Sequence, residues 1–346
     1  MESRKIKIAF LPGAIPRYNP IKTFRCIFQR WNDTNPPYEF VLKEITDKEI
    51  INGYLSVDNF DILIFPGIGR GYPHIFDEPF PVPWKDNIRK FVSDGGGYLG
   101  ICGGAVVAGY GLVNRADTIW EKVADESTLK IANVKVYQDI SLPMWGDKVG
   151  QSAYMWYGSG IPAKVEVNRE HPIFSVCPKK LWTIRHMGGP AFVEMESKDV
   201  SILATYQKEL SDIAPIHVWR WGPFLREEEI PEGNLFDFLK RKGLEDIIDL
   251  KDWEKQEEMI RTNVRGKAAA VANEYGQGRV VIFGPHPEYP SWEDGYLEET
   301  EDTPHNRMGE LFRWRSNEWV SNEWIILMSA AWAEGIPDEE LTSIPL

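Results

Sequence analysis

The first hundred residues alternate short apolar runs with amphipathic stretches. Residues 5–11 read as a strand, and Phe24, Ile27, Phe28 and Trp31 recur at the spacing of a helix over 21–31. Residues 38–45 are rich in strand formers. Thr46, followed three positions later by Glu49, is a capping box that starts a helix continued by 50–55. Residues 61–65 form a short apolar strand ending at Pro66-Gly67. A helix is predicted over 83–93 and is stopped by Asp94-Gly95-Gly96-Gly97. The apolar Gly97-Tyr98-Leu99 segment then leads to Cys102. Repeated strand–helix units of this kind build a parallel sheet with helices on both faces.

From about Ile131 the pattern changes. Residues 130–140, 164–167, 181–185, 191–196 and 201–206 read as strands separated by turns, which adds antiparallel strands beside the parallel core. Residues 207–267 read as an insertion, partly helical, with a charged helical run over 246–262 that could cover a cleft. The chain returns to the core with 268–275, a Gly276-Gln277-Gly278 turn and a strand over 279–283. Residues 318–332 read as a closing helix within a C-terminal helical extension, 303–346. A single α/β domain over 1–346 is expected.

Composition narrows the function. The 346 residues are 43% hydrophobic and 26% charged, which is ordinary for a globular chain, and the net charge of −13 disfavours nucleic acid or an anionic membrane as partner. Cys26, Cys102 and Cys177 are too scattered for a disulfide framework or a zinc site. No signal-peptide core opens the sequence and no apolar run is long enough to span a membrane, so a cytoplasmic location, which suits a free thiol, is expected. The acidic run over 292–302 lacks EF-hand order and reads as solvated charge; neither metal nor cofactor is expected. The 14 tryptophans suit a core or an aromatic-lined cleft, and Trp145, Trp156 and Tyr157 lie near glycines.

The candidate chemistry sits at two strand ends. Gly100-Ile101-Cys102-Gly103-Gly104 follows one strand and Gly284-Pro285-His286-Pro287-Glu288 follows another. Small residues around a nucleophile suit a strand–turn–helix elbow. His286 can take the thiol proton and Glu288 can orient the imidazole, because residues two apart on an extended segment point the same way. The N–H of Gly103 is a natural oxyanion donor, and Pro66-Gly67-Ile68-Gly69 offers a second near Gly67 and Ile68. Tyr157, Arg185, His186, Gly188 and Gly189 are candidates to line a pocket. His171 reads as a turn residue, Cys26 as part of the buried face of the first helix, and Cys177 as a loop residue with no base nearby.

At these residues the chain resembles the class I glutamine amidotransferase-like superfamily, and most of all the branch of the N-terminal domain of biotin–protein ligases with its stand-alone prokaryotic relatives. Phe65-Pro66-Gly67-Ile68-Gly69, residues 96–105, His186-Met187-Gly188-Gly189-Pro190 and residues 275–288 carry the resemblance, which spans roughly 5–206 and 268–290. It implies a flavodoxin-like α/β sandwich, a Cys-His-Glu triad at Cys102, His286 and Glu288, and an oxyanion contribution from Gly67-Ile68. The stretch between Cys102 and His286 is longer than in a minimal amidotransferase domain, and no synthetase or ligase catalytic domain accompanies it in this sequence.

The expected function is a cysteine-dependent hydrolase or amidase that cleaves a C–N bond of a small amide or amino-acid-like substrate through a thioester. Two alternatives stay open: a glutaminase subunit that supplies ammonia to a separate synthase, and a non-catalytic binding or scaffold module that keeps the fold. A homo-oligomer is compatible with each.

Overall fold

The computed structural model describes residues 3–12, 20–67, 80–113, 125–137, 152–154, 160–196, 198–221, 253–299 and 312–341. Strands β1 (Arg4–Phe10), β2 (Tyr38–Glu44), β3 (Ile62–Phe65) and β4 (Gly97–Ile101) alternate with helices α1 (Ile21–Asn32), α2 (Asp47–Ile51) and α3 (Val82–Ser93), and α4 (Gly103–Ala108) follows β4. The capping box is formed: the Glu49 N–H donates to Thr46 Oγ1 and the Thr46 N–H donates to Glu49 Oε2.

An 11-stranded sheet runs β2-β1-β3-β4-β14-β13-β10-β7-β8, with β14 at Gly278–Phe283, β13 at Ala268–Tyr275, β10 at Ser201–Tyr206, β7 at Ile161–Val167 and β8 at Leu181–His186. Strands β5 (Val134–Tyr137) and β9 (Ala191–Glu194) branch from β13. The half from β2 to β14 is parallel and the rest is antiparallel. The parallel half with helices on both faces is what the alternating pattern predicts, and the layering is the flavodoxin-like α/β sandwich that the resemblance implied.

The parallel strands are apolar on both faces because both faces are covered. Ile62 and Ile64 of β3 point into the core that holds Phe24, Phe28 and Trp324, whereas Leu63 and Phe65 point into the one that holds Trp84, Ile88 and Phe91. Alternation along a strand thus feeds two helical layers.

Three expectations differ from the structure. Within the 246–262 run, Trp253–Ile260 is a strand, β12, not a helix. It pairs antiparallel with β11 (Ile216–Trp221), which also pairs with β6 (Ser152–Tyr154). Ladder bonding there outweighs the helical preference of a Glu- and Lys-rich segment. The insertion's one described helix is the single turn α5 (Leu210–Ile213); residues 222–252 lie outside the described residues. Second, Cys26 is exposed, because Phe24, Ile27, Phe28 and Trp31 already define the buried stripe of α1 and Cys26 falls on the opposite side.

The third difference concerns the C-terminal segment. Short strand pairs, β15 (Ser291–Trp292) with β18 (Trp319–Val320) and β16 (Tyr296–Glu299) with β17 (Phe312–Arg315), precede α6 (Glu323–Glu334) and α7 (Asp338–Leu341). Helix α6 packs on β4 and β14 and is apolar nearly all round, so it forms a layer of the central core. Fully burying Ile325, Ile326 and Met328 contributes about 1.5–3 kcal/mol each. Arg279 of β14 donates to the Trp332 carbonyl at 3.0 Å and fixes the helix end on the sheet.

Glu334, at that end, is half-buried and ion-paired with Arg4, its side chain largely covered. Burial, with Asp61 and Glu340 adding to it against Arg4 and Arg279, pushes its carboxyl up to about 7. The folded state therefore binds this proton more tightly than the unfolded chain, and stability falls as pH rises from about 4.5 to 7. Thermal melts of Glu334→Gln, which lacks this titration, should gain on the wild type between pH 5 and pH 8. A constant Tm difference over that interval would show that Glu334 ionises freely.

Candidate active site

Three consecutive parallel strands, β3, β4 and β14, end side by side, with Phe65 opposite Gly100 and Ile101 opposite Phe283. Their carboxyl ends bring Gly67, Cys102 and His286 to one edge of the sheet, where open α/β sheets place their sites.

Cys102 forms the elbow between β4 and α4. Its backbone sits at φ 51° and ψ −106°, a conformation that costs a non-glycine residue about 1–3 kcal/mol. Two backbone bonds hold it there: the Cys102 N–H donates to the Phe283 carbonyl at 2.8 Å, and the Cys102 carbonyl accepts from Val106 at 3.0 Å. Behind the elbow, a Cβ on Gly104 would lie 1.9 Å from the Phe65 carbonyl oxygen, so only glycine lets α4 seat on β3. Gly103 is the first residue of α4, and its N–H has no acceptor within the helix.

His286 follows β14 in a turn, not on the extended segment expected from the sequence; the Tyr289 N–H donates to the His286 carbonyl at 3.3 Å. The pairing with Glu288 is still made, with Nδ1 of His286 2.8 Å from Glu288 Oε1. His286 and Glu288 are each 2% exposed and Cys102 is 5% exposed. Cys102 and the imidazole lie on either side of Gly67. A Cβ on Gly67 would lie 2.9 Å from both Cys102 Cβ and His286 Cε1, and 3.4 Å from Cys102 Sγ, so one methyl's width separates the three residues.

Burial is the largest single influence on His286 and disfavours its charged form. The Glu288 carboxylate, hydrogen-bonded to the ring, and the Cys102 sulfur outweigh it and raise the imidazole to about 10. The carboxylate on one side and the sulfur on the other thus favour the charged ring.

The other sequence candidates fall at different depths. Ile68, Tyr157, Trp145 and Trp156 lie outside the described residues. His186 is buried; its Nδ1 accepts from the Gly188 N–H and its Nε2 donates to the Gly189 carbonyl, each at 3.1 Å. Burial lowers it to about 3, so it is a neutral ring that shapes the 187–190 loop. Arg185 is next to His286: its carbonyl accepts from the His286 N–H at 2.7 Å. His171 caps the turn Pro172–Phe174, and buried Cys177 donates to the Lys179 carbonyl.

Sequence reasoning missed Tyr206, Tyr289 and Trp292. Tyr206 packs edge-on to His186, and burial, with Cys102 adding to it, raises its hydroxyl. Tyr289 lies 6.1 Å from the His286 ring, centroid to centroid. Tyr289 and Trp292 follow Glu288 by one and four residues, and that proximity was the available signal.

Among the described residues no group of three carboxylate, His or Cys side chains is placed to hold a metal, and no helix is long and apolar enough to cross a membrane. Two acids of the run over 292–302 form ion pairs: Glu293 with Lys179 at 2.6 Å, and Glu298 with Arg315.

Among solved structures, the chain is similar to the glutaminase domain of CTPS from Trypanosoma brucei, with 11% identity over 94% of each chain and a TM-score of 0.42. It is similar to a protein described as ThuA-like from Bacteroides uniformis, with 11% identity over 96% of this chain and 93% of that one, TM-score 0.44. A GMP synthase subunit-like protein from Thermoplasma acidophilum shares 10% identity over 95% of this chain and 94% of that one, TM-score 0.40. No curated protein sequence matches the chain. The family model described as biotin-protein ligase, N terminal, matches residues 39–215, just over half of the chain, and includes the Cys102 elbow. The branch named from the motifs is therefore the right one: the chain belongs to the biotin-protein ligase N-terminal family.

Proposed function

We propose that the protein is a cysteine-dependent amidase that cleaves a C–N bond through a thioester. The observation that carries this reading is the buried line from Glu288 through His286 to Cys102, with a 2.8 Å carboxylate–imidazole bond and a strained elbow under the sulfur. An imidazolium beside a sulfur is the charge arrangement in which cysteine attacks as thiolate.

The chemistry balances with these residues alone. Cys102 Sγ bonds to the amide carbonyl carbon, and the oxygen takes the negative charge against the N–H of Gly103 and the backbone near Gly67. His286 gives its proton to the departing nitrogen, the C–N bond breaks, and a thioester and an amine remain. Water then attacks the thioester with its proton passing to His286, the S–C bond breaks, and a carboxylic acid leaves. Glu288 keeps the imidazole in one orientation throughout.

Cys26 provides an internal reference for the test, being exposed where Cys102 is buried. Iodoacetamide at pH 6, read by peptide mass spectrometry, should label Cys102 at least about tenfold faster than Cys26. Equal pH dependence of the two cysteines, with Cys26 labelled first, would overturn the amidase reading and favour a binding module.

A further inference from the structure

We propose that His186 is a positioning residue: by clasping Gly188 and Gly189 it fixes the loop against which the backbone of His286 is set. The proposal rests on the amidase reading for what the His286 imidazole does, but not for where that ring is held.

His186 ends β8, and β13, β10 and β7 stand between β8 and β14 in the sheet. The end of β8 and the loop after it nevertheless press directly on the segment that follows β14. The His286 N–H donates to the Arg185 carbonyl at 2.7 Å. A Cβ on Gly189 would lie 1.7 Å from the Gly284 carbonyl oxygen, and a Cβ on Gly284 would lie 1.8 Å from the Pro190 carbonyl oxygen. The buried Tyr206 hydroxyl donates to that Pro190 carbonyl at 3.3 Å. Two backbones in contact with no side chain between them leave little slack, so the shape of 186–190 is passed on to 284–286.

The His186 ring gives the loop that shape. A backbone N–H can only donate, so the 3.1 Å bond from the Gly188 N–H makes Nδ1 the bare nitrogen. The proton therefore sits on Nε2, which donates to the Gly189 carbonyl at 3.1 Å. The two bonds close a turn in which Gly188 takes a φ of 87°. The ring is 1% exposed and packs edge-on to Tyr206, which holds it in place. A charge on His186 would oppose the one on His286, and burial, which lowers His186 to about 3, keeps it neutral. His286 in turn holds its proton because its Nδ1 stays 2.8 Å from Glu288 Oε1, and that bond weakens when the backbone beneath the ring shifts.

The test is the titration of the six histidines by nitrogen-15 NMR, with the His286 signals assigned from His286→Gln. In the wild type His186 should show the Nε2-protonated tautomer and no titration between about pH 5 and pH 10. In His186→Phe, which keeps a ring against Tyr206 and loses both bonds, the proton affinity of His286 should fall at least about tenfold, the scale of a small misplacement in a preorganised site. Asparagine can still accept from the Gly188 N–H and glutamine can still donate to the Gly189 carbonyl, so His186→Asn and His186→Gln should fall between the two. These two variants also decide the matter if His186→Phe does not fold. A His286 titration that superimposes on the wild type in all folded variants, with only Tm lowered, would make His186 purely structural and overturn the proposal. The Nδ1-protonated tautomer at His186 would overturn it as well. The readout needs no reactive thiol. Slow labelling of Cys102 in the wild type, with the His286 titration still shifted by His186→Phe, would count against the amidase and for the clasp.

Discussion

Alkylation of Cys102 by iodoacetamide at pH 6 is expected to fall about a hundredfold in His286→Ala and about tenfold or more in Glu288→Gln. The first figure follows from the ordinary thiol: with a pKa near 8.5, only roughly 0.3% is ionised at pH 6, and a sulfur without its imidazole partner is left with that fraction. The second follows from the bond at 2.8 Å between Nδ1 of His286 and Glu288 Oε1. Glutamine keeps the shape and can still accept from Nδ1, so the variant removes charge and little else. Glu288 is the foremost of the partners that raise the imidazole to about 10 against its burial. Without it, the imidazolium should lose its proton at lower pH, and each tenfold loss of proton affinity corresponds to about 1.4 kcal/mol between the charged and neutral rings. The pH–rate profiles of both variants against the wild type make the check. Profiles that superimpose would mean that the buried line of three residues is architecture alone.

Gly104→Ala is expected to be among the most damaging single-methyl changes in the chain. The added Cβ would stand 1.9 Å from the Phe65 carbonyl oxygen, a backbone atom in the middle of the parallel sheet. No rotamer relieves that overlap, so α4 must lift from β3 or the strand must bend. A loss of roughly 3–5 kcal/mol is expected. For a chain of this length that corresponds to a fall in Tm on the order of 5 °C, measurable by calorimetry. Labelling of Cys102 should drop in the same variant, because the elbow that holds the sulfur has moved. An unchanged Tm would show that α4 tolerates displacement.

The parallel half of the fold was legible because its signals are local and redundant. Ile62-Leu63-Ile64-Phe65 is apolar on both faces, Thr46 and Glu49 satisfy the start of a helix, and glycines end α3. The 246–262 run misled for the opposite reason. Its charges suit an exposed helix, but β12 is held by ladder bonds to β11, a partner more than thirty residues away. Cys26 was misplaced because it lies between two core residues in sequence, and sequence adjacency says little about helix face. The closing helix α6 was expected, but as an extension; that it covers β4 and β14 depends on where the chain returns in space.

Residue identity and order in the chain were enough to single out Cys102, His286 and Glu288 as candidates, since an elbow demands small neighbours and an imidazole demands an acid within reach. Their convergence was beyond local reading. It depends on β14, which joins the sheet beside β4 after a long excursion and lines up Phe283 with Ile101. The rings of Trp292 and Trp319 that face the Arg185 guanidinium likewise meet only across β15 and β18. Periodicity and capping act over a few residues and can be read along the chain. Strand order, and the company a buried charge keeps, are set by contacts between distant segments and take shape only when the core closes.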